Sequence, residues 1–168
     1  MGMDVYGKNP KQNVDRSKFS TLHKYESMEF NERWKLLDKD EKLRQTYWLE
    51  KDDYEQQNPG FYFRNNCWWW RPLWNYCYHI ADDIISEEVF ENGHSNNGAG
   101  LDDKGAKLLG NRLLQQIREG KTIKYQAEYQ QWLDDLPDDD FNKHYPFDID
   151  NVKEFAEFCI ECGGFEIN

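Results

Sequence analysis

Between positions 28 and 56 apolar residues recur at helical spacing among lysines and acids. Phe30, Trp34 and Leu37 fall at i, i+4 and i+7, and Leu36, Leu43, Tyr47 and Tyr54 form a second stripe. The spacing predicts one long amphipathic helix over about 28–57, or two joined near Lys39-Asp40, ended by the turn chemistry of Asn58-Pro59-Gly60. Before it, Val5-Tyr6-Gly7 leading to Asn9-Pro10 predicts a short strand or extended arm, followed by a polar loop to about Phe19. After it, Phe61 to Arg64 is aromatic enough for a short strand. Pro72 suits the first turn of a helix running to about Glu91, with Leu73, Cys77, Ile80 and Ile84 on one face and Trp74, Ala81 and Ile85 beside it; so wide an apolar surface marks a central helix. Residues 92–100 are glycine and small polar residues, a loop. Asp102 then caps a helix to Glu119 built on Ala106, Leu109, Leu113 and Ile117, and Gly120 stops it. Tyr125, Tyr129, Trp132, Leu133 and Leu136 keep helical spacing up to Pro137. Asn151 with Glu154 resembles a capping box ahead of Val152, Phe155, Ala156 and Cys159, and Gly163-Gly164 releases the chain into a terminal strand, Phe165 to Ile167. The expected fold is α+β and mostly helical, with four to five helices and a small sheet of two or three short strands, in a single domain over residues 1–168.

Composition narrows the function. A chain of 168 residues can bury a core of its own, and 16% aromatic content compensates for 38% apolar content. No stretch of eighteen apolar residues occurs, and the N-terminus lacks the basic and apolar regions of a signal peptide, so a cytoplasmic protein without a membrane partner is expected. The net charge of −11 is uneven: residues 128–168 hold twelve acids against Lys143 and Lys153. Such a field repels nucleic-acid phosphates and attracts basic partners, which argues against general nucleic-acid binding.

Five features offer chemistry. Residues 61–78 hold four of the seven tryptophans and two arginines with no acid, and three successive tryptophans cannot share one face of a helix or strand. Trp68, Trp69 and Trp70 could stack on a planar ligand while Arg64 and Arg71 contact phosphate and Asn65 and Asn66 read base edges; the alternative is a locked corner in which most rings pack. The loop before Asp102, with His94, Asn96 and Asn97, could present amides to an anion, although no phosphate-binding fingerprint is present and Asp102 and Asp103 oppose it. His79, Asp83 and Glu87 at i, i+4 and i+8 on the central helix permit metal binding or acid–base work, against the simpler reading of a solvated polar face. Cys159 and Cys162, with Cys67 and Cys77, could surround zinc; structural thiols explain them more simply. The acidic stretch from Asp134 lacks EF-hand spacing, and Asp134, Asp135, Asp138, Asp139 and Asp140 read as a solvated surface able to steer a basic partner. No catalytic residue, metal or cofactor is expected.

Four blocks, Met3 to Lys8, Tyr62 to Leu73 (Tyr-Phe-Arg-Asn-Asn-Cys-Trp-Trp-Trp-Arg-Pro-Leu), Asn97 to Asp102, and Asn151 through Cys162-Gly163-Gly164-Phe165-Glu166-Ile167, together resemble a family of small proteins found in bacteria and their phages. The resemblance implies one continuous domain, with the helix at about 28–57 as a charged insertion, because the relatives have a shorter link there. Some relatives hold a zinc-knuckle-like insertion before the Tyr-Pro-Phe block, where this chain has only Asp134 to Asp140. The phage association implies a non-enzymatic accessory protein that binds a host protein with a basic surface and interferes with host defence, in the host cytoplasm if phage-encoded. The alternative is a small-ligand binder that sequesters a nucleotide-like signal through the aromatic and arginine segment.

Overall fold

The computed structural model describes residues 2–168, and the chain divides into two compact units: residues 12–58, and the segments before and after them taken together. In the first unit a 3-10 turn, Arg16–Lys18, leads into α1 (Ser20–Glu26), α2 (Phe30–Leu37) and α3 (Glu41–Gln57). Phe19, Leu22, Tyr25, Leu37 and Tyr47 form its core. Asp40 starts α3 by accepting from the Leu43 amide at 3.0 Å, so of the two arrangements expected here it is the pair of helices joined near Lys39-Asp40 that forms. The buried Asn58 closes the unit: its Oδ1 accepts from the amides of Asn13 (2.8 Å) and Val14 (3.0 Å), and its Nδ2 donates to the carbonyls of Tyr54 (2.8 Å) and Val14 (3.2 Å).

The second unit is a four-stranded antiparallel sheet with helices on one face. β1 (Gly2–Gly7) lies between β2 (Tyr62–Asn66) and β4 (Phe165–Ile167), and β3 (Gly100–Leu101) pairs with β4. Val5 stands opposite Phe63 on one side and Ile167 on the other, and Leu101 opposite Phe165. This register turns Met3, Val5, Phe63, Leu101, Phe165 and Ile167 to the core, and leaves Tyr6, Arg64 and Glu166 exposed on the alternate positions. The helices are α4 (Cys67–Ala81), α5 (Glu87–Asn92), α6 (Asp103–Arg118), α7 (Lys121–Asp135) and α8 (Ile149–Glu161). α6 and α8 pack with near backbone contact at Gly110, where a Cβ would stand 2.7 Å from the Ala156 carbonyl oxygen.

The architecture is mostly helical, but the expected count of four to five helices and two or three strands is overturned by the eight helices and four strands found among the described residues. The central helix stops at Ala81, where the Ile84 and Ile85 amides both turn back to the Ala81 carbonyl at 2.9 Å, and Ser86 starts α5 by accepting from the Val89 amide at 3.3 Å. Apolar spacing runs unbroken through this turn because Ile85 is itself buried. α1 has only Leu22 and Tyr25 buried, too few for a periodic signal, and β3 is two residues long, too short for alternation. Pro72 is not in a first turn: α4 begins at Cys67, capped by Asn66, so Pro72 lies in its interior and removes the bond to the Trp68 carbonyl. No helix among the described residues is long and apolar enough to cross a membrane.

Candidate functional site

The Asn66 side chain decides where the tryptophans point. Its Oδ1 accepts from the amides of Trp68 (3.0 Å) and Trp69 (3.1 Å), starting α4 directly from the last residue of β2. With the helix begun there, Trp70 and Trp74 stand one turn apart and stack at 5.4 Å, both fully buried. Their indole N–H groups donate to the carbonyls of Gly93 (2.8 Å) and Phe90 (3.0 Å), which ties α5 and its end to the core. A Cβ on Gly93 would meet the Trp74 ring at 2.4 Å, so this glycine is required by the approach. Trp69 is half-buried, and Trp68 is half-buried against a different element.

That element is the turn after α7. Leu136, extended ahead of Pro137, ends the helix, and Asp140 opens a 3-10 turn, Phe141–His144, by accepting from the Asn142 amide at 2.8 Å. Trp68 packs on Phe141 (5.3 Å), His144 (5.7 Å) and Tyr145 (5.0 Å). Arg71, one turn along α4, donates to the Tyr145 hydroxyl at 2.7 Å and lies over its ring at 5.6 Å. Tyr129 donates to the Tyr145 carbonyl at 2.9 Å and touches Trp132 at 5.3 Å. The aromatic and arginine segment and the acidic segment, read separately in the sequence, therefore meet on one surface.

The acids of this surface are weakly neutralised. Asp138 faces Lys143 at 3.2 Å, while Asp134 and Asp135 accept only from the neutral Gln130 (2.8 Å) and Gln131 (3.0 Å). Asp139 is exposed with no cation among the described residues. Asp134 and Asp135 also occupy the last turn of α7, which has no basic residue and where the helix dipole disfavours negative charge. Trp132 and Phe141 stand among them 44% and 60% exposed. These two rings, and Tyr145, were not singled out as site residues from the sequence. Trp132 falls into the buried stripe of α7 by spacing, but Phe141, one apolar residue directly after three aspartates, is a legible signal.

The remaining candidates lie apart. Arg64, Asn65 and Asn66 line a shallow depression with Gly2. Arg64 Nε is 3.6 Å from Asp4, and Asn65 donates to Asn151 Oδ1 at 2.8 Å, joining β2 to α8. Asn96 donates to the Gly2 carbonyl at 3.1 Å, and Asn97 donates to Asn92 Oδ1 at 2.9 Å. His94 sits edge-on to Phe90 at 5.0 Å; burial, helped by the charge of Arg71, lowers its pKa below the usual value. His79, Asp83 and Glu87 do not share a helix: α4 has ended before Asp83, which forms a two-pronged pair with Arg112 that holds its carboxyl below the usual range, and Glu87 belongs to α5. Cys77, Cys159 and Cys162 are buried and unpaired, and burial raises all three thiols, Cys162 to about 11. No cluster of three metal-ligating side chains occurs among the described residues.

No family model, no curated protein and no solved structure matches this chain.

Proposed function

We propose that the protein acts by binding rather than by catalysis, and that its partner is a host protein with a basic surface, seated on the acidic and aromatic surface formed by the end of α7 and the turn that follows. One observation carries this reading: the exposed rings of Trp132 and Phe141 are set among five aspartates of which only Asp138 meets a lysine. Exposed aromatic anchors with a charged rim are the pattern of a protein interface, and the charge supplies steering and selectivity for a basic partner. Asp134 and Asp135 sit at the wrong end of α7 for helix stability, which favours a role in recognition over one in folding. The phage-type, defence-interfering version of this role rests on the resemblance of the sequence blocks. The rival nucleotide-like ligand has less support, because Trp70 is committed to the core and the depression at Arg64, Asn65 and Asn66 has no tryptophan in its lining.

The test is capture from a host lysate by the immobilised protein, with the captured species then measured in a binding assay at low and high salt. Replacing Asp134, Asp135 and Asp139 together by asparagine should weaken binding by about tenfold or more and flatten its salt dependence, and Phe141→Ala should weaken it without changing that dependence. Affinity of the triple variant equal to the parent at low salt would refute the reading.

A further inference from the structure

On the opposite half of α7 an open cavity of about 190 Å³ lies between α4, α6 and α7. Its floor is aromatic: Tyr76 and Tyr125 lie 4.7 Å apart, and the Tyr76 hydroxyl is fixed by a 2.9 Å hydrogen bond to the buried Thr122. Around the floor stand His79, Gln116, Lys121 and Lys124. The exposed His79 ring and the partly exposed Gln116 amide border the cavity and have no protein hydrogen-bond partner among the described residues, so a ligand there competes only with water for them. Lys121 and Lys124 touch only exposed acids, Glu119 at 2.6 Å and Glu128 at 3.7 Å, and such pairs exchange readily for a stronger anion.

The start of α7 adds to this. Gly120, left-handed at φ 71°, offers no capping side chain, and the first turn holds no acid, so the first amides of the helix lack a side-chain acceptor beside the two lysines. Glu128 is the one carboxylate in the lining, and its repulsion keeps affinity modest.

We propose that this cavity binds a small phosphate monoester, with the phosphate on Lys121, Lys124 and the Gln116 amide and the apolar part laid against the half-buried Tyr125. The site is separate from the acidic surface and does not depend on the reading given to it. The experiment is an NMR titration of the full chain with phenyl phosphate at constant ionic strength, with phenol as the uncharged control. Saturable shifts confined to residues 76–80 and 116–125, about tenfold weaker in the Lys121→Ala/Lys124→Ala variant and weaker in Gln116→Ala, are the expected result. Non-saturating shifts spread over the surface lysines, equal binding by the double variant, or phenol binding as tightly as phenyl phosphate would each overturn the proposal.

Discussion

Asn58 uses both lone-pair positions of its amide oxygen and both amide protons, so a buried polar side chain is fully satisfied within its own unit. Asn58→Ala removes the acceptor shared by the amides of Asn13 and Val14 and should destabilise residues 12–58 by about 2–4 kcal/mol, read as a lower denaturation midpoint with little change in slope. In the sequence this residue reads only as a turn former before Pro59, because what it closes lies 44 and 45 positions away. The tryptophan run shows the same limit. Side-chain geometry alone requires Trp68, Trp69 and Trp70 to diverge. Which ring goes inward depends on the Asn66 cap, which sets the phase of α4 and commits Trp70 to the core while Trp68 covers Phe141.

At the scale of elements, helices with a full apolar stripe were legible, as α6 shows with Ala106, Leu109 and Leu113 buried. Their ends were less so. The last helix is capped by Asp148, whose carboxylate accepts from the Asp150 amide at 2.6 Å, and not by Asn151, because two equally good capping residues lie three apart. Elements short of two turns depend on partners to exist at all, and α1 is held by its neighbours. Glu26, its last residue, accepts from the Tyr47 hydroxyl of α3 and pairs with Arg33 of α2 at 2.8 Å. Burial alone would raise its pKa, but the Tyr47 bond and Arg33 outweigh it and hold the carboxyl below 4.5. A carboxyl depressed in the folded state stabilises above its unfolded value, and that contribution is lost as pH falls through the folded one. The melting temperature should therefore drop on acidification below pH 4.5, and Glu26→Gln should lower it at neutral pH and flatten part of that drop, measured by thermal melts across pH.

Over the whole molecule the dominant physical fact is charge, −11 in total with twelve acids against two lysines in residues 128–168. Self-repulsion among exposed carboxylates is screened by salt, so the melting temperature should rise between low and physiological sodium chloride; a flat or falling profile would show that local ion pairs dominate. That charge, the lack of an eighteen-residue apolar span, the mostly helical class and the strands β1, β2 and β4 were determined by the sequence itself, because each is a sum or a short-period pattern that needs no partner. The tertiary structure alone decided that α4 ends at Ala81, that β3 joins the sheet, that Asp83 pairs with Arg112 instead of sharing a face with His79, and that Trp68 and Arg71 meet Phe141 and Tyr145 more than seventy residues on. These are contacts between segments distant in the chain, and their energies come from surfaces that face each other only once the sheet and its helices have closed.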